Sequence, residues 1–353
     1  MLTPPLARNL EASVRDLEST RVAVRISSVA DLVRHARGDD AVRARAIPLL
    51  EKALGADAAS EVRAAAAVAL GDLAASEALS TLLVAVEDAD LHVRQMAINA
   101  LGEIGDVRAS PRLCRALADA RPEVRYQGII AFCRVTKDDD DALEALTRAL
   151  EDEDAAVRYI ALRLAEERTD APDARAPWKR LIPRAEALLR DPARQVGLVA
   201  AIFLTKMGEE SGRDLIARVV RGTLRADKED EREAVEIAGE ISRPDLVPYL
   251  ERRAWGAAKW FRDTCAFHAK IALARLDHPR AVAEIARDLA SPKRDVRSAA
   301  VVAAGRACRL ELREVIDALP NDAIDPELRA DALKLLARAA SEASATTPSS
   351  ERP

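Results

Sequence analysis

Aromatic residues, which usually fill a thick hydrophobic core, make up only 3% of this 353-residue chain, although apolar residues reach 49%. Much of that apolar share is alanine, whose small side chain lets helices approach closely, so tight helix-on-helix stacking is expected in place of one large core. Cysteine is equally scarce. Cys114, Cys133, Cys265 and Cys308 show no C-x-x-C spacing, which reads as buried free thiols and not as a disulfide framework. No apolar run approaches the roughly 20 residues of a membrane span, and the N-terminal MLTPPLARNLEAS has neither a basic start before an apolar stretch nor a cleavage-like site. A cytoplasmic location is the expectation. Nor is there a large excess of one charge: 32% of residues are charged but the net charge is −5, so global electrostatics selects no partner class.

The motifs of common chemistry are missing too. No Gly-rich phosphate loop, H-E-x-x-H, nucleophile elbow or zinc-type Cys/His spacing occurs, so no cofactor, metal or catalytic residue is expected. Cys265 and His268 stand at i and i+3 on one helix face. That spacing could give two metal ligands or an activated thiol, but no third group is identifiable from the sequence, and the pair reads as two semi-buried core residues. The acid runs Asp138 to Asp141 and Glu151 to Asp154 lack the ligand-and-glycine spacing of a calcium loop. They read as turn charges and helix N-terminal acids.

What the chain has instead is a repeated signature. EVRAAAAVALGDL from Glu61 returns as HVRQMAINALGEIG from His92, EVRYQGIIAFCRV from Glu123, AVRYIALRLAEER from Ala156 and DVRSAAVVAAGRA from Asp295. Taking each arginine as position zero gives Arg63, Arg94, Arg125, Arg158, Arg297 and, with a weaker match, Arg329. Small or apolar residues then fall at plus three, four, six, seven and ten, which is one face of an amphipathic helix. A first helix, A, precedes this second helix, B; examples are Glu77 to Glu87, Ala109 to Ala118 and Asp141 to Glu151. Six residues before zero stands an aspartate, in Asp57, Asp88, Asp119, Asp152 and Asp191. A carboxylate in that turn can cap backbone N–H groups and meet the arginine of its own or a neighbouring repeat, so Asp57, Arg63, Asp88, Arg94, Asp119, Arg125, Asp152 and Arg158 are expected to form a structural ladder.

The turn aspartate, the Val-Arg pair and the A-L-G close of helix B resemble the HEAT family. The closer match is its short bacterial form, the HEAT-like repeat first described in phycobilisome lyases, because zero positions lie 31, 31 and 33 residues apart from Arg63 to Arg158, less than the roughly 40 of long HEAT units. The resemblance implies an all-α fold: an α-solenoid, HEAT-like or armadillo-like, in which about nine or ten antiparallel helix pairs form a right-handed superhelix with B helices on its concave face. It implies no single activity. With no composition break along the chain, residues 1–340 are expected to form one array, followed by a disordered Ser/Thr/Pro-rich tail over 341–353.

The signature fails in the middle of the chain, about residues 178–280. Alignment on small residues places zero at Gly197, Glu231 and Ala266, so three successive repeats lack the arginine, Phe203 replaces alanine at plus six, and Trp260 stands where an aspartate belongs. Tyr249, Trp255, Trp260, Phe261 and Phe267 are half of the ten aromatic residues, and seven basic residues (Arg252, Arg253, Lys259, Arg262, Lys270, Arg275, Arg280) accompany them against three acids. Such a segment fits a binding hot spot, since Trp, Tyr and Arg bury area and hold planar or anionic groups. Packing into the space left by missing ladder pairs is the competing reading. A second surface follows from helix geometry. Plus nine is charged throughout (Asp72, Glu103, Arg134, Glu167, Lys206, Glu240, Arg275, Arg306, Arg338) and marks the solvent side, where plus one carries Tyr126 and Tyr159. Exposed there, the two tyrosines would form a ridge along a groove able to hold a segment of another protein; lying over neighbouring helices is the alternative.

The expected function is a non-enzymatic scaffold or adaptor that binds a protein partner along the B-helix surface. Trp255, Trp260, Phe261, Phe267, Arg252, Arg253, Lys259 and Arg262 are the first candidate contacts, and Tyr126 and Tyr159 the second. The alternative is nucleic-acid binding, by resemblance to HEAT-like alkylpurine DNA glycosylases, in which Trp178, Trp255 and Trp260 with the local basic excess echo a basic, aromatic surface but no catalytic aspartate can be matched. A lyase-type accessory role is a further alternative, with nothing specific to a bilin site in this chain. High alanine and arginine usage suggests a GC-rich bacterial source.

Overall fold

The computed structural model describes residues 9–169, 175–241, 243–256 and 263–346. Among them every regular element is helical. Met1–Arg184 and Ala185–Pro353 form two compact units. In unit one the pairs are α1 (Leu10–Asp16) with α2 (Val22–Ala36), α3 (Asp40–Ala56) with α4 (Ser60–Asp72), α5 (Leu79–Ala85) with α6 (Leu91–Ile104), α7 (Ser110–Ala116) with α8 (Pro122–Val135), and α9 (Asp139–Ala149) with α10 (Ala155–Arg168). After α11 (Arg175–Trp178), the division between units falls inside α12 (Ile182–Leu188). Unit two continues with α13 (Arg194–Lys206), then α14 (Arg213–Val220) with α15 (Lys228–Ile237), α16 (Val247–Trp255) with α17 (Ala266–Arg275), α18 (Pro279–Leu289) with α19 (Arg294–Arg306), and α20 (Arg313–Asp317) with α21 (Pro326–Thr346).

Each B helix packs on its own A helix and on the B helix of the next pair: α2 on α4, α4 on α6, α6 on α8 and α8 on α10 in unit one, and α13 on α15, α15 on α17, α17 on α19 and α19 on α21 in unit two. This nearest-neighbour stacking is the organisation of an α-solenoid. Helix α21 runs through Thr346, so helix persists six residues into the stretch expected to be unstructured; residues 347–353 lie outside the described set.

The repeat positions behave as the periodicity requires. Val62, Ala66, Ala67 and Leu70 in α4, like Val93, Ala97, Ile98 and Leu101 in α6, have no exposed surface. Phe203, the bulky residue at plus six in α13, is fully buried as well. The acid runs cap helices: Asp138 accepts N–H bonds from Asp140 and Asp141 at the start of α9, and Asp154 accepts from Ala156 and Val157 at the start of α10, which satisfies donors that a helix start leaves unpaired.

Glycine at plus eight sets the register between B helices. A Cβ on Gly71 would lie 3.0 Å from Ala100 Cα, and one on Gly102 would lie 3.0 Å from Ala131 Cα. Both neighbours are plus-six alanines of the following repeat. Gly239 meets Ala272 in the same way at 2.8 Å, so the zero positions assigned to Glu231 and Ala266 are in the same register as those of the intact repeats. The last repeat differs. Gly305 meets Ala332, which makes Pro326 the equivalent of zero and leaves Arg329 three residues late.

Candidate functional site

The ladder arginines lie in the first turn of the B helices and reach into the preceding A–B turns, and Arg63 and Arg125 show the full bonding pattern. Nη1 of Arg63 donates to the carbonyls of Asp57 and Ala58 in its own turn at 3.0 and 3.4 Å, while Nε and Nη2 grip the Asp88 carboxylate of the next turn at 2.8 and 2.7 Å. Arg125 does the same with Asp119 and Ala120 carbonyls and the Asp152 carboxylate, both carboxylate bonds being 2.7 Å. The aspartates also cap: Asp88 accepts from the Asp90 N–H and Asp152 from the Asp154 N–H. The bond from Arg63 holds Asp88 below its ordinary pKa against the opposing effect of burial. Burial pushes Asp152 upward, but its bonds from Arg125 and the Asp154 N–H outweigh that and lower it.

Two features depart from the expected ladder. Arg25 forms an additional rung, with Nε and Nη2 both 2.8 Å from the Asp57 carboxylate and Nη1 2.8 Å from the Ser19 carbonyl. It was missed because Ser19, not aspartate, stands six residues before it and Arg63 follows 38 residues later, beyond the 31 to 33 of the other repeats, although the pair Val24-Arg25 was legible. The Arg94–Asp119 rung, by contrast, does not form. Arg94 bonds the Asp88 and Ala89 carbonyls, but among the described residues its buried Nε and Nη2 have no hydrogen-bond partner and the Asp119 carboxylate accepts only the Arg121 N–H. Nothing in the neighbouring packing explains the open rung. Arg158 donates to the Asp152 and Glu153 carbonyls of its own turn at 2.7 and 2.9 Å. Arg297 does so with the Ser291 carbonyl and uses the Ala323 carbonyl in place of the next carboxylate.

Where unit two lacks a zero-position arginine, a different arginine performs this bridging. Arg253, from helix α16, donates to the Val219 and Val220 carbonyls at 2.9 and 3.1 Å and to the Glu231 carboxylate at 2.9 Å. The residue expected to contact a partner is therefore a tie between α14, α15 and α16.

Trp255 is similarly engaged. Its Nε1–H donates to Glu284 at 3.1 Å, the Arg280 guanidinium lies 4.1 Å from its ring centroid, and the His278 ring packs at 5.4 Å. Glu284 also holds Lys270 at 2.8 Å, and Arg275 pairs with Glu240. Most of the basic excess seen in the sequence thus has partners within the fold. Tyr249, Arg252 and Phe267 remain exposed. Lys259, Trp260, Phe261 and Arg262 lie outside the described residues. Trp178 is buried beneath Arg168 in unit one, which removes it from any surface.

On the B-helix side of unit one, Tyr126 and Tyr159 are half-buried and not exposed. Arg163 lies 5.7 Å from the Tyr159 ring centroid and donates to Glu166 at 2.8 Å. Because plus eight meets plus six in successive repeats, equivalent positions stand side by side. Val68 of α4, Gln95 and Asn99 of α6 and Tyr126 and Ile130 of α8 therefore form an uncharged stripe of exposed and half-buried side chains, while the same positions of α10 carry Tyr159 and Arg163. Next to it the plus-nine charges pair with one another, as in Arg134 with Glu103 at 2.5 Å.

The Cys265–His268 pair does not form a site. His268 turns its Nδ1 to Glu236 at 2.7 Å, while burial pushes the Cys265 thiol up to about 11, so no thiolate nucleophile is present near neutral pH. Cys133 is pushed up to about 12 by the same cause. Cys114 and Cys308 are exposed, contrary to the expectation that all four thiols are buried. Among the described residues no cluster of three or more His, Cys, Asp or Glu side chains is placed to hold a metal ion, and no helix is long and apolar enough to cross a membrane.

With this geometry in hand, residues 47–133 match the family model described as HEAT repeats. Among solved structures the chain is similar to YibA of Escherichia coli, with 18% identity, coverage of 74% of this chain and 91% of that one, and a TM-score of 0.53. It is also similar to an engineered protein (20% identity, 94% and 99% coverage, TM-score 0.42) and to the complex of CpcE and CpcF of phycocyanin lyase from Nostoc (18% identity, 80% and 95% coverage, TM-score 0.38). No curated protein matches the chain. The turn arginines, the plus-eight glycines and the family match agree: residues 47–133 are HEAT repeats, and the chain that contains them is an α-solenoid.

Proposed function

We propose that this protein is a non-enzymatic scaffold or adaptor that binds a partner protein along the B-helix surface of unit one. One observation carries the reading: the stripe from Val68 to Ile130 brings uncharged side chains from three successive B helices into register, continued on α10 by Tyr159 with Arg163 over its ring, beside charges that neutralise one another. An apolar and amide-bearing strip of this kind suits a peptide or helix laid across several repeats, with the tyrosines supplying area at low entropic cost. The aromatic segment of unit two ranks second, because Trp255 and Arg253 are engaged within the fold.

Cross-linking with mass spectrometry in native lysate, followed by recombinant partner binding, tests the proposal. Cross-links should gather on α4, α6, α8 and α10, and a Tyr126→Ala/Tyr159→Ala variant should keep its helical circular dichroism yet lose the partner. Cross-links confined to A helices, or unchanged binding by the variant, would overturn it. A mobility shift on nucleic acid that weakens steeply with salt would favour the nucleic-acid reading instead.

A further inference from the structure

The B-helix side of unit two holds an unusual arrangement around Glu236 of α15. Arg306, on α19, reaches past α17 to place Nη1 3.1 Å from the Glu236 carboxylate, 70 residues away in sequence. His268, on α17, holds the same carboxylate at 2.7 Å. Glu236 retains 16% side-chain exposure, and although burial alone would raise its pKa, the His268 bond and the nearby Arg306 and Arg275 keep it low. One nearly enclosed carboxylate thus serves an imidazole and a guanidinium from two different repeats.

Arg306 is far from saturated by this contact. A guanidinium has five N–H donors in a planar fork, and Arg306 uses one of them among the described residues while 46% of its side chain is exposed. On α17, Phe267 is 36% exposed with its ring edge-on at 5.7 Å to His268, which shares the Glu236 carboxylate with Arg306. An exposed phenyl ring joined through His268 and Glu236 to an underused guanidinium fork offers an apolar contact and a carboxylate contact on one face.

We infer that this face of α15, α17 and α19 is a docking site for an acidic protein segment that carries an apolar side chain next to its carboxylate, with Glu236 occupying the carboxylate position in the unbound protein. The inference rests on the scaffold reading but concerns a different unit. The incoming acid takes the Arg306 fork and the apolar side chain packs on Phe267. A peptide fits better than a nucleic acid because Glu236 and Glu240 stand among the cations. An evenly charged phosphate backbone would set charges against both, whereas a peptide places its acids only where the arginines are.

The test is fluorescence anisotropy at low salt with a dye-labelled peptide of repeated Glu-Glu-Leu units, using a Lys-Lys-Leu peptide and oligothymidylate of matching charge as controls. The acidic peptide should bind and the controls should not. Phe267→Ala and Arg306→Ala should each weaken binding about tenfold, the scale of a truncated interface anchor. Arg306→Lys, which keeps the charge and loses the fork, should fall between Arg306→Ala and the native protein. Glu236→Gln should strengthen binding several-fold, because it frees the guanidinium and imidazole from their internal competitor. Weaker binding by Glu236→Gln, indifference to Phe267→Ala and Arg306→Lys, or tighter binding of oligothymidylate overturns the inference. The Tyr126→Ala/Tyr159→Ala variant should bind the peptide normally. Failure of the peptide while that variant still loses its protein partner removes this site and leaves the scaffold reading standing; the reverse result removes the scaffold stripe and leaves this site.

Discussion

Arg125→Ala is the sharpest probe of the ladder. The side chains of Arg125 and Asp152 are 10% and 11% exposed, with two 2.7 Å bonds between them. Truncating the arginine strands a poorly solvated carboxylate and takes the donor from two turn carbonyls. Breaking one partner of a buried pair costs about 3 to 5 kcal/mol. Because Asp152 keeps the Asp154 N–H, the lower end, about 3 kcal/mol, is expected. Asp152→Ala should cost a similar amount, and the double variant little more than either, leaving a coupling energy of about 2 kcal/mol. The exposed Arg134–Glu103 pair, whose side chains are 48% and 50% exposed, supplies the control: Arg134→Ala should cost under about 0.5 kcal/mol. Urea unfolding followed by circular dichroism reads these differences, with hydrogen exchange in α8 and α10 as a local check where the array does not unfold in one step. The pH dependence has a definite sign. Asp152 is held below its ordinary value in the fold, so the contribution is complete above roughly pH 4 and is lost as the pH falls through the depressed pKa. The gap between native protein and Arg125→Ala should therefore close under acid. Equal costs for Arg125→Ala and Arg134→Ala, or a gap that widens under acid, would refute the argument.

Further expectations follow from other residues. Gly102→Ala should destabilise by about 1 to 2 kcal/mol despite the gain in helix propensity, because the new Cβ would lie 3.0 Å from Ala131 backbone, whereas Gly55→Ala in α3, with nothing within 4 Å, should stabilise by about 0.5 to 1 kcal/mol; paired urea titrations compare them. Arg253→Ala should cost about 2 to 4 kcal/mol and loosen amide protection at the junction of α14, α15 and α16. Under native conditions iodoacetamide should modify Cys114 and Cys308 quickly and leave Cys133 and Cys265 until the protein is denatured, as intact-mass analysis would show.

Much of the fold was legible because a repeat fixes its own register. Small residues alone located Glu231 and Ala266 as zero positions, and the Gly239–Ala272 contact agrees. Arg25 was missed because only half its signature is present, and Arg329 was placed one helical turn late because either register buries Leu336. The candidate site was harder to read. Whether a basic residue is available depends on carboxylates 22 to 35 residues away, as with Arg253 and Glu231 or Arg275 and Glu240, and no local window reports such pairs. The same holds for Tyr126 and Tyr159: helical phase shows which side they face, but the neighbouring helix decides how much of each ring is covered.

The formed rungs join turns that are only 25 to 32 residues apart in sequence. A repeat emerging from the ribosome therefore finds its bonding partner on a repeat already made, and no rung waits for the far end of the chain. Short loop closures of this kind favour rapid, sequential docking during synthesis. They also confine the harm of a faulty turn: an arginine lost at one rung delays the docking of the following pair and leaves those already assembled intact.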